Sequence, residues 1–245
     1  MRPPGLNGVV QSKRRRVAGV ILTLLVLGLL FVGAVEGTRS IKGLGYEPKA
    51  VAATTGANIA LSVYPDSYAC HGSGGGPGGG PHPEWVTYCP STTIKLPAYS
   101  TVTFTIKQYD TGASLHNDYF AQVHGTVNNV MFLNGKPVRE GDPENTGHTF
   151  TMQTAPDSSE TPLFVTVPLP GVAENAPETE TIAGHSYPKP NVIVFSIRTG
   201  APGQYVWHCY VPCGAGLAGE GVGGQDGFGG PMAATGYMSG TVTVA

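Results

Sequence analysis

From Asn58 onward, eight short runs rich in Val, Ile, Thr and aromatic residues alternate with clusters of Gly, Pro, Asn and Asp. They lie at 58–63, 93–96, 101–107, 147–153, 162–168, 191–198, 204–209 and 239–244. Such runs suit a pleated, half-buried surface, because branched and aromatic side chains pack well across strands. Val130–Leu133 runs into Asn134-Gly135, the pair that a two-residue hairpin turn demands. No segment of this region has the apolar period of a helix. The region is therefore predicted to be all-β, a sandwich or barrel of many short strands. Glycine (36) and proline (21) are abundant, in part because the tracts 72–80 and 214–230 are loops.

Ahead of that region lies a run of different character. Residues 17–35 carry no charge and directly follow Lys13-Arg14-Arg15-Arg16. About 20 apolar residues in a helix cross the hydrocarbon core of a bilayer. Positive flanks stay in the cytoplasm. The expected organisation is a cytoplasmic basic tail (1–16), a transmembrane helix (17–35), a linker (36–56) and a β domain (57–245). That makes a single-pass protein of the cell membrane with its C-terminal domain outside the cytoplasm. The alternative is a cleaved signal peptide, for which Gly33-Ala34-Val35-Glu36 is a poor cleavage site and the apolar run is long. Charged residues are 12% of the chain and the net charge is -2, so nothing marks a nucleic-acid partner.

Four cysteines outside the cytoplasm meet an oxidising environment. Cys70 and Cys89 bracket a glycine-rich tract, and a crosslink there removes much chain entropy, about 3 kcal/mol. A Cys70–Cys89 disulfide is predicted. The rival use of these cysteines, with His71 and His82 as a metal site, lacks a rigid scaffold among so many glycines.

The other two cysteines stand in QYVWHCYVPCGAG, as Cys209 and Cys213. Met232 and Met238 follow, the second just before the closing run SGTVTV. Thiolate and thioether are soft donors, and soft donors select copper over hard cations. Methionine also fills core gaps, which is the plain alternative for both residues. The histidines placed to join them are His148 (TGHTFTM) and His116 (SLHNDYF). His148 opens a clear strand, whereas His116 follows the 101–107 run by a short loop. Phe120 to Glu144 reads as a long hairpin insertion between the two. His208 neighbours Cys209 on a strand and so should face the other way.

The segment FSIRTGAPGQYVWHC and the ending MSGTVTV resemble the copper loop of cupredoxins. There a Pro-Gly turn and an aromatic strand deliver the copper cysteine, and an axial methionine precedes the last strand. HTFTM followed by PLFVTVPLPG is similar to the copper domain of cytochrome oxidase subunit II. The resemblance implies a Greek-key β-sandwich and a copper cofactor. It also implies electron transfer with a redox protein partner, as a carrier or an oxidase subunit rather than a stand-alone enzyme. Its ligands would be His148 or His116, Cys209, Cys213 and Met238. The chain departs from both usual patterns. Cys213 stands where a mononuclear site has histidine, and Leu217 and Glu220 stand where a binuclear site has histidine and methionine. Cys209 and Cys213 are thus either ligands together or a local disulfide. Copper delivery or buffering, and a metal-free structural domain, are the competing functions.

Overall fold

The computed structural model describes residues 54–72, 76, 82–112, 114–211, 230–232 and 234–245. The predicted anchor at 17–35, and Cys213, Leu217 and Glu220, lie outside the described residues. Among the described residues no helix is long and apolar enough to cross a membrane.

The strands, in chain order, are β1 (Thr54–Thr55), β2 (Asn58–Tyr64), β3 (Thr87–Cys89), β4 (Thr93–Leu96) and β5 (Thr101–Gln108). Then come β6 (Met131–Leu133), β7 (Lys136–Val138), β8 (Thr146–Thr154), β9 (Phe164–Pro170), β10 (Thr179–Ile182) and β11 (His185–Pro188). The last are β12 (Asn191–Arg198), β13 (Gly203–His208) and β14 (Ser239–Val244). Each of the eight predicted runs is a strand within a residue or two of its expected bounds. Two sheets result, ordered β1-β4-β14-β13-β8-β9 and β3-β2-β5-β12-β6-β7, with β10–β11 as a separate hairpin. The all-β expectation holds for the described domain.

Alternating inward residues of the two sheets make the core. Phe104 and Phe195, neighbours on β5 and β12, stack with centroids 5.0 Å apart. Phe150 of β8 tilts against both Phe104 (5.2 Å) and Trp207 of β13 (5.0 Å). Tyr88 of β3 meets Trp207 edge-on at 4.6 Å. All five rings are buried, which is the dominant stabilising term for a sandwich of this kind.

Phe120 to Glu144 is the excursion foreseen in the sequence. Its hairpin β6–β7 leaves the first sheet's side of the sandwich and pairs with β12 in the second. Asn134 and Gly135 both have positive φ (49° and 80°) at its tip, as the Asn-Gly signal required. The chain then re-enters the first sheet as β8.

A one-turn helix α1 (Tyr68–His71) is joined to β3 by the Cys70–Cys89 disulfide, with Cα atoms 6.1 Å apart. The predicted disulfide is thus present. It packs with Tyr64, Tyr109 and Tyr187 in a second apolar cluster outside the main core. Replacing both cysteines by Ala is expected to lower folding stability by about 3 kcal/mol, since the bridge closes a long loop. Denaturant unfolding of the two forms side by side measures this.

Candidate metal centre

Cys209 owes its place to β13. Alternation along that strand turns Tyr205, Trp207 and Cys209 inward, and Cys209 is fully buried. Trp207 anchors the strand by donating its indole N–H to the Thr92 carbonyl at 2.8 Å. The β13–β14 register pairs His208 with Ser239, so Met238 falls opposite Cys209. The Cys209 N–H donates to the Met238 carbonyl at 3.1 Å. Residues directly opposite on antiparallel strands project from the same face, with Cβ atoms about 4.5–5.5 Å apart. Met238 is likewise fully buried. Its N–H donates to the Pro231 carbonyl (3.1 Å), which ties the strand start to the short 3-10 turn Gly230–Met232. Met232 is buried there, and with Cys209, Trp207 and Thr235 it lines a cavity of about 530 Å³. Met238 thus stands opposite Cys209 in strand register, and Met232 lines the same cavity as the thiol.

His148 owes its place to an irregularity. The β8–β9 register shifts between Thr146 and His148, the mark of a bulge, and Gly147 is the extra residue. A Cβ on Gly147 would stand 2.5 Å from the Thr111 carbonyl oxygen and 2.7 Å from Gln108 Nε2. Glycine is needed because the end of β5 crosses here at close approach. The result is a histidine only 1% exposed. Its Nδ1 lies 3.8 Å from Cys209 Sγ, and its Nε2 lies 2.8 Å from Asp110 Oδ2. The Cys209 sulfur also accepts hydrogen bonds from the backbone N–H groups of Thr149 (3.3 Å) and Val211 (3.4 Å).

The electrostatics of this trio are those of a buried histidine held between a carboxylate and a cysteine sulfur. Burial alone would lower the His148 pKa, but the Asp110 carboxylate and the Cys209 sulfur overcome it and push the value up to about 9. Burial tends to raise the Asp110 carboxyl, yet the hydrogen bond and charge of His148, with the Thr111 N–H, leave it below the usual range. Both shifts favour a protonated His148 ring beside an ionised Asp110 at neutral pH. Two donors bound to one ion through bonds of about 2.0–2.3 Å lie about 3.5–3.7 Å apart at ordinary angles. The observed 3.8 Å fits a shared ion with little movement. Imidazole, thiol and buried thioether make a soft donor set.

His116 is elsewhere in character. It is exposed, in the segment before the 3-10 turn Asp118–Ala121, where Leu115 donates to the Pro143 carbonyl (2.9 Å). His208 is half-buried, and its ring lies 3.3 Å from the Gln153 amide nitrogen and against Tyr210, on the opposite side of β13 from Cys209 as alternation requires. Burial lowers its pKa. Cys70, His71 and Cys89 have ligand atoms within 4.8 Å of one another, but the two sulfurs are joined.

Sequence reasoning missed Asp110 and Gln108. Asp110 sits in Tyr-Asp-Thr-Gly after β5, where an aspartate reads as a turn residue. Gln108, inside a strand, is fully buried; its Oε1 accepts from the Asp110 N–H at 3.4 Å. Neither belongs to a metal motif: Asp110 meets His148, and Gln108 meets the Asp110 backbone.

No protein-family model and no curated protein matches the chain. Among solved structures it is similar to auracyanin B, a cupredoxin, at 14% identity, with 82% of this chain and 96% of that chain covered and a TM-score of 0.27. At this identity and TM-score the likeness carries no argument, and the case for a metal rests on the donors.

Proposed function

We propose that this chain is a cupredoxin-like copper protein that carries electrons outside the cytoplasmic membrane, tethered by residues 17–35. The observation that supports copper best is the approach of His148 Nδ1 to Cys209 Sγ, 3.8 Å apart in a fully buried setting. His148 and Cys209 would be the principal ligands. Met238 would be a weak thioether donor, with Met232 the alternative. Cys213, four residues after Cys209, is the further thiolate candidate. Bound copper would supply reversible one-electron chemistry.

The remaining tasks fall to the protein. Trp207, Tyr205 and the sandwich core keep water from the sulfur. The Thr149 and Val211 N–H groups lower electron density on it, and such contacts tune a thiolate centre's potential. Donors locked by strand pairing and a bulge move little on a change of charge, which suits electron transfer. The redox partner would be another protein, consistent with an oxidase partner or subunit.

Adding copper(II) to the full reduced chain tests this. A stable visible thiolate-to-copper band at stoichiometric copper, reversibly bleached by a one-electron reductant, is the expected result. Tight cuprous binding with no reversible cupric form would instead favour copper delivery. No copper uptake, before or after reduction of disulfides, would defeat both readings.

A further inference from the structure

The geometry points to Asp110 as a positioning residue that selects which nitrogen of His148 faces Cys209 and, through its charge, makes the centre more reducing. The statement about the ring stands on the geometry alone, whereas the statement about potential rests on the copper reading above.

An ionised carboxylate only accepts hydrogen bonds. With Asp110 Oδ2 at 2.8 Å, His148 Nε2 must therefore carry a hydrogen. A neutral imidazole has one N–H, so Nδ1 is then the bare nitrogen. Nδ1 is the atom aimed at Cys209 Sγ. A carboxylate behind a metal-bound histidine fixes ring orientation and raises the ring's basicity.

Asp110 is itself firmly held. Its carbonyl accepts from the Val172 N–H at 2.9 Å, and its Oδ1 accepts from the Thr111 N–H at 2.8 Å. Thr111 bridges to Val172 just past β9. A side chain on Gly171 would collide with the Gly112 backbone, and one on Gly147 would meet Thr111 and Gln108. Two glycines on the β8–β9 side thus let the end of β5 pass from the second sheet to the first and deliver a carboxylate behind the ring. The Asp110 side chain is only 17% exposed, so water screens its charge weakly. A negative charge one ring's width from the site favours the more positive oxidation state of a bound metal.

Two variants separate the parts of this role. Asp110→Asn keeps an acceptor oxygen but loses the charge, while Asp110→Ala loses both. Nitrogen-15 NMR of the metal-free chain at pH 10, where the ring is neutral, reads the protonated nitrogen directly. Wild type and Asp110→Asn should show hydrogen on Nε2, and Asp110→Ala should show a mixed or Nδ1 tautomer. In the copper-loaded chain both variants should have a higher reduction potential, and Asp110→Ala should bind copper about 10–100-fold more weakly. An unchanged tautomer in Asp110→Ala, or unchanged potentials in both variants, would overturn the assignment. If the wild type bound no copper, the copper reading would fail while the NMR result still decided the role of Asp110.

Discussion

Cys209→Ser should abolish the visible band of the copper-loaded protein and weaken copper binding more than about 100-fold, a lower bound because loss of a partner behind a ligand already costs about 10–100-fold. A serine hydroxyl is a hard, protonated donor at neutral pH, so it offers copper neither charge nor covalency. The fold should survive the change. Serine is close in size, and its oxygen can accept the same N–H groups of Thr149 and Val211 that now reach the sulfur. Copper titration with absorption spectroscopy, beside a near-ultraviolet circular dichroism spectrum, separates loss of the ligand from loss of the fold. A serine variant that keeps full copper loading and the same band would remove Cys209 from the site.

The second large effect is at His148, where binding and stability are coupled. His148→Ala should abolish tight copper binding and also destabilise the metal-free protein by about 3–5 kcal/mol at pH 6, because it strands the mostly buried Asp110 carboxylate. The pH dependence has a definite sign. The folded-state pKa of His148, about 9, lies above its ordinary value of 6.5. The contribution of its charge to stability is therefore complete below pH 6.5 and is lost as pH rises through 9. Denaturant unfolding of the metal-free forms should show the gap between wild type and His148→Ala narrowing from pH 6 to pH 10. Copper binding runs the other way. Copper needs the Nδ1 lone pair and the Cys209 thiolate, so it displaces at least one proton, and its apparent affinity should rise at least about tenfold per pH unit between pH 6 and 8. A flat affinity between pH 6 and 8 would mean that His148 does not surrender a proton to the metal.

The strands were legible in the sequence where composition and period agreed. β2, β5, β12, β13 and β14 are each dense in branched and aromatic residues with buried alternate positions, and β8 is as dense but buried on both faces from Thr146 to Met152. The β10–β11 hairpin was not legible. Its strands, TETI and HSYP, are mostly polar or exposed, and its turn places Ala183 rather than Asn at positive φ before Gly184. β3 is three residues long and takes its place through pairing with β2, which no local signal announces. At the site, Cys209 and Met238 could be read because strand register fixes them, and His148 because it opens a strand. The choice of His148 to stand against Cys209 depends on the bulge at Gly147. Asp110 depends on β5 crossing between sheets. Both are tertiary arrangements of residues that more than about 100 Å of extended chain would otherwise keep apart, and neither leaves a motif.

The central claim is that copper is held by the thiolate of Cys209 and the imidazole of His148. X-ray absorption at the copper edge of the loaded full chain, beside Cys209→Ser, tests it most directly. A short copper–sulfur shell together with imidazole scattering is expected in the wild type, with loss or sharp reduction of the sulfur shell in the variant. A wild-type spectrum with only nitrogen and oxygen neighbours, unchanged by Cys209→Ser, would contradict it.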